Sequence, residues 1–86
     1  MALRGLFQRR YKHRFICRCP NNSRPIDYEW TIEIAEVIAV EDIVATAKGY
    51  ARSFHEAMAD ELYKLFGGRQ ILRAHHHGVD IETVRP

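Results

Sequence analysis

From Tyr11 to Cys19 apolar and polar side chains alternate: Tyr11, His13, Phe15, Cys17 and Cys19 fall on one face and Lys12, Arg14 and Arg18 on the other, with Ile16 the exception. A period of two predicts a half-buried strand. Turn formers crowd Pro20-Asn21-Asn22-Ser23-Arg24-Pro25, after which Tyr28, Trp30, Ile32 and Ile34 alternate with Glu29, Thr31 and Glu33 and predict a second strand. An antiparallel hairpin with Cys17 opposite Trp30 and Phe15 opposite Ile32 would also set Arg18 opposite Glu29 and Arg14 opposite Glu33. That register is the one expected, because it satisfies both faces at once.

Between Glu41 and Phe66 the period becomes helical, and Ile43, Ala47, Tyr50, Phe54, Met58, Leu62 and Leu65 define one apolar stripe. Glu41 and Asp42 suit the positive end of a helix dipole, and Gly67-Gly68 supplies a stop. Gly49 leaves two outcomes open, one long helix or two in sequence. Gln70 to Ala74 and Val79 to Val84 are β-prone runs around His75-His76-His77-Gly78. Read as a four-residue loop, that stretch predicts Ala74 opposite Val79, Leu72 opposite Ile81 and Arg73 opposite Asp80. The order β-β-α-β-β implies an α+β fold, an antiparallel sheet with helix packed on one face.

Eighty-six residues hold one domain, divided here into a basic arm over residues 1–10 and a single α+β domain over residues 11–86. With 47% hydrophobic and 28% charged residues the composition is globular, not disordered. No run of about 18 apolar residues is present, so no membrane span is expected. The first ten residues lack the apolar core of a secretory signal, which makes a cytoplasmic location the expectation.

The net charge of +2 conceals a segregation. Residues 1–26 carry seven basic groups and no acid, whereas residues 27–86 carry six basic groups against eleven acids. Arg4, Arg9 and Arg10, interleaved with Phe7 and Tyr11, make nucleic acid one candidate partner, through phosphate contacts and base stacking. Arg14 and Arg18, with acids expected opposite, contribute less to such a patch.

Three groups of residues invite chemistry. Cys19-Pro20 ends the first strand and Asp27 opens the second, so a thiol flanked by Arg18 and Arg24 stands near a carboxylate able to shuttle a proton. The alternative is that Cys17 and Cys19 are small core residues, and for Cys17 that reading is adopted. Phe54-His55-Glu56 places on the helix a carboxylate able to accept two N–H donors from a purine- or pterin-like ring, beside an imidazole. The alternative is a solvated stripe in which Glu56 pairs with Arg52. His75-His76-His77 and Cys17-x-Cys19 contain zinc-type ligands, but their spacing is a poor match to paired zinc motifs, and no metal is expected.

Three blocks, Phe15-Ile16-Cys17-Arg18-Cys19-Pro20-Asn21-Asn22-Ser23-Arg24-Pro25-Ile26-Asp27-Tyr28, Ser53-Phe54-His55-Glu56 and Gly78-Val79-Asp80-Ile81, resemble in order the 7-cyano-7-deazaguanine reductases, nitrile oxidoreductases of queuosine biosynthesis with the tunnelling fold. The resemblance implies a Cys19 nucleophile forming a thioimide with the substrate nitrile and proton handling by Asp27. It further implies a catalytic role for His55, a Glu56 that holds the deazapurine, and NADPH as hydride donor. It also implies a homo-oligomer, in which hairpins of neighbouring subunits continue one sheet and the small heterocyclic base sits at the subunit interface. The sequence departs from the family in two places. The step from Cys19 to Asp27 is one residue longer, and Val40 to Gly49 lacks the Glu-Ser-Lys-Ser stretch associated with NADPH, only Glu41 matching it. Besides this reductase-like reading, a non-catalytic assembly or protein-interaction module of the same fold, and the nucleic-acid binder, stand as alternatives.

Overall fold

The computed structural model describes residues 9–86. Its elements run β1 (Arg9–Arg18), β2 (Pro25–Ile34), α1 (Val40–Lys48), α2 (His55–Phe66), β3 (Arg69–His76) and β4 (Val79–Arg85). The four strands form one antiparallel sheet in the order β1-β2-β3-β4. β1 begins two residues before the alternation predicts, so Arg9 and Arg10 belong to the strand. Arg10 lies 2.9 Å from Glu33, and Arg9 donates to the carbonyl of Ala35. The residues of the expected arm before Arg9 lie outside the described residues.

Both hairpin registers differ from expectation. Cys17 faces Ile26, Phe15 faces Tyr28, Arg14 faces Glu29 and Arg10 faces Glu33, a four-residue displacement from the predicted pairing. The turn decides this. Ser23 N–H donates to the carbonyl of Cys19 and Cys19 N–H to that of Arg24, which closes the chain so tightly that Arg18 meets Pro25. Because the displacement is even, every side chain keeps its face. In the second hairpin His75 and His76 are strand residues, and the turn shrinks to His77 and Gly78, both at positive φ (52° and 77°). That is the turn whose twist matches two-residue hairpins, so Ala74 faces Ile81, Leu72 faces Thr83 and Arg73 faces Glu82.

The helical region is two helices. Gly49 ends α1, and Ala51 to Ser53 run extended beside the end of β1. This break leaves Phe54 outside both helices. α2 buries Met58, Ala59 and Leu62, while Phe54 and Leu65, on the stripe of a continuous helix, are 54% and 64% exposed.

Both helices cover one face of the sheet. Ile43 and Ala47 of α1 and Met58 and Leu62 of α2 pack with Ile26, Tyr28, Trp30, Ile32 and Leu72. Each fully buried side chain of this size contributes about 1.5–3 kcal/mol. The buried side-chain amide of Gln70 is satisfied within the core. Gln70 accepts from the Trp30 indole at 3.0 Å and donates to the carbonyls of Leu62 (3.1 Å) and Gly67 (2.8 Å), tying β2, β3 and the end of α2 together. The turn into β3 needs glycine: at Gly68 (φ 71°) a Cβ would lie 2.7 Å from the carbonyl oxygen of Glu33.

The opposite face is charged and laid out in cross-strand rows. Arg14, Glu29, Arg73 and Glu82 form one row and Arg10, Glu33 and Arg69 another, with Glu33 bonded to both arginines. Arg18 is thus not opposite Glu29; it faces Pro25 and donates to the Ser23 carbonyl.

Candidate functional site

Cys19 follows the last residue of β1, is 8% exposed, and belongs to the core cluster together with Cys17 and Tyr28. Its loop is clamped to the segment before α2. Arg18 N–H donates to the Ala51 carbonyl (2.9 Å), Ser53 N–H to the Arg18 carbonyl (3.2 Å), and Arg52 to the Ser23 hydroxyl (2.6 Å). Arg52 is therefore a loop residue holding the Cys19 turn, not a helical partner of Glu56. Cys17 is buried beneath this clamp, and burial pushes its thiol pKa up, away from the thiolate.

From Ser53 the chain crosses the helix-covered face of the sheet. His55 Nε2 lies 3.0 Å from the Leu72 carbonyl on β3, and its ring packs edge-on against Tyr28 on β2 at 5.5 Å. A carbonyl oxygen accepts only, so Nε2 carries the proton. Nδ1 is buried without a partner among the described residues. Burial lowers the His55 pKa, which keeps the ring neutral. The same burial pushes the Tyr28 hydroxyl up to about 12.

Glu56, one residue on, has reached β4. Its Oε2 accepts from the Thr83 hydroxyl at 3.2 Å and its Oε1 from Arg85 Nη2 at 2.9 Å, while Arg85 Nε donates to Asp60 at 2.9 Å. The guanidinium beside it holds the Glu56 carboxyl below the usual carboxylate range, so it is an ionised acceptor at neutral pH. The displaced β3–β4 register concealed these partners in the sequence. With the predicted pairing Ile81, not Thr83, would lie beside Leu72.

Cys19 and Glu56 therefore stand at opposite margins of the same sheet. Three strand spacings, about 14 Å, separate β1 from β4. Asp27 is elsewhere again. Its neighbours Ile26 and Tyr28 are core residues, so Asp27 projects from the charged face, in a row with Ile16, His75 and Asp80. It lines a cleft of about 680 Å³ with Arg14, Arg73 and His75, and His75 Nδ1 lies 2.8 Å from Asp80. The three histidines are likewise dispersed, with His75 on the charged face, His76 on the helix face and His77 in the turn. Among the described residues no group of three or more His, Cys, Asp or Glu is arranged to hold a metal ion, and no helix is long and apolar enough to cross a membrane.

The segment the resemblance associates with NADPH is α1. Its first turn carries Glu41 and Asp42, and Lys48 is the one cation of the helix. Two carboxylates at a helix N-terminus repel a phosphate, so this segment does not fit the cofactor's phosphates.

A scan against protein-family models returns no match for this sequence, and no curated protein matches it. Among solved structures, the crystal structure of the archaeosine synthase QueF-Like in the apo form superposes with a TM-score of 0.70 at 21% identity, covering 90% of this chain and 89% of that one. At that identity the likeness concerns the fold: four antiparallel strands in sequence order, with both helices on one face, are the tunnelling fold of that protein.

Proposed function

We propose that this chain binds a deazapurine- or pterin-type base through Glu56, at a site completed by a second copy whose Cys19 attacks a nitrile on the bound base. The observation that carries this reading is the placement of the two blocks. Cys19 lies at the β1 margin and Glu56 at the β4 margin, so a seam between β4 of one subunit and β1 of another, with the two strands displaced along their length, would carry one of each. The edges suit each other. β1 presents Arg10, Lys12 and Arg14 on the charged face, and β4 presents Asp80 and Glu82 on the same face. The resemblance of both blocks to the nitrile reductases, and the fold shared with a protein named as an archaeosine synthase, support a base of this class.

The chemistry is a single addition. The Cys19 thiolate forms a C–S bond to the nitrile carbon, the C–N π pair moves to nitrogen, and nitrogen takes up a proton to give a thioimide. The net change is addition of the S–H bond across the nitrile, the thiol proton being lost to water and the nitrogen taking one up from water. With α1 unsuited to the phosphates, the reading ends at the thioimide and includes no hydride step.

The position of Asp27 favours one second reading, a base-binding protein of this fold without covalent chemistry, since the carboxylate meant to handle protons faces away from the thiol. Intact-mass analysis after mixing with 7-cyano-7-deazaguanine separates the two. The expected result is a covalent adduct retained by Cys17→Ala and lost in Cys19→Ala. Reversible binding without an adduct leaves the second reading standing. Absence of binding rejects both.

A further inference from the structure

A carboxylate that recognises the edge of a guanine- or pterin-like ring uses both oxygens, one for each of two adjacent N–H donors. In this chain both oxygens of Glu56 are already engaged, Oε2 by the Thr83 hydroxyl and Oε1 by Arg85 Nη2. Arg85 is held in place from behind, its Nε bonded to Asp60 one helical turn beyond Glu56. Its side chain is 24% exposed and that of Glu56 71%, so the carboxylate remains reachable from solvent while each of its oxygens already accepts one bond. A guanidinium and the N–C–N edge of a 2-amino-pyrimidinone ring present the same donors in the same planar fork.

We infer that Arg85 is a built-in competitor for the base at Glu56, a positioning residue whose guanidinium occupies the carboxylate until a ligand with paired N–H donors displaces it. The inference rests on the role of Glu56 proposed above. Binding is then an exchange. The ligand gains its bonds to Glu56 only as the contact with Arg85 opens, and Asp60 keeps the released guanidinium near by. The apparent affinity is lowered by the strength of an accessible ion pair, and it depends on salt even though the ligand is neutral.

The test is calorimetric titration of 7-cyano-7-deazaguanine into the wild type, Arg85→Ala, Arg85→Lys and Glu56→Gln, at low and high salt, with thermal unfolding as a check that each variant folds. The expected result is binding by Arg85→Ala up to about fivefold tighter than wild type. Arg85→Lys, which keeps the charge but not the fork, should fall between them. Added salt should tighten the wild type and leave Arg85→Ala unchanged. Wild-type binding that is lost in Glu56→Gln but unchanged or weakened in Arg85→Ala would overturn the competitor while leaving the role of Glu56 in place. Unaltered binding in Glu56→Gln, or no binding by wild type and Arg85→Ala alike, would overturn that role and the competitor with it.

Discussion

The amide of Ser53 donates to the carbonyl of Arg18 at 3.2 Å, and through that bond the segment leading into α2 is stitched to the end of the strand that carries Cys19. Ser53→Pro removes the donor without adding a charge. The expected outcome is a loss of about 1 kcal/mol in stability and faster hydrogen exchange of the Arg18 amide, which itself donates to Ala51. The yield of the Cys19 adduct should fall by more than the stability loss explains. Exchange mass spectrometry and intact mass measure the two effects.

Gln70 is a buried amide side chain bridging β2, β3 and α2, and Gln70→Leu leaves the Trp30 indole N–H without its acceptor and removes a donor from the carbonyls of Leu62 and Gly67. Stability should fall by about 2–4 kcal/mol. Urea unfolding followed by the fluorescence of Trp30 reads this directly. A lower midpoint with an unchanged slope is expected.

His55 makes stability depend on pH. Burial lowers its folded-state pKa beneath the unfolded value of about 6.5, so the unfolded chain binds the extra proton first. Its contribution is complete above about pH 6.5 and is lost as pH falls through the lowered folded value. His55→Gln keeps a donor for the Leu72 carbonyl and does not titrate. The wild type should therefore lose unfolding midpoint on acidification more steeply than the variant, in a pH series run downward from neutrality.

The complementary margins of the sheet predict assembly. Light scattering coupled to size exclusion should give a mass that is a multiple of the chain mass. Reversing two charges on β4, Asp80→Lys with Glu82→Lys, should reduce it by setting like charges beside Arg10, Lys12 and Arg14. A monomer at every concentration, with the base still bound, would mean that one chain suffices.

Periodicity along the chain was enough to identify four strands, the helical region and the face of each alternating residue, though Arg9, Arg10, His75 and His76 joined the strands only in the structure. Alternation depends on local backbone geometry, and an error of four residues in the β1–β2 register leaves it intact. The same local rule places Asp27 among the charged residues. A single added position between Cys19 and Asp27 changes its face, because a strand has period two, and the length of that step was visible in the residues themselves.

What pairs with what was settled only in three dimensions. Ring closure between Cys19 and Arg24, and the left-handed pair His77-Gly78, set both registers by turn geometry, which composition constrains weakly. The break at Gly49 took Phe54 out of the helix, and Leu65 in the last turn of α2 is exposed, although a continuous stripe assigns both to the core. The partners of Glu56 come from β4, and its separation from Cys19 spans the whole sheet. Those are long-range relationships. Local pattern carries the face of a residue, whereas its neighbours across the sheet follow from how the turns close and where the chain crosses.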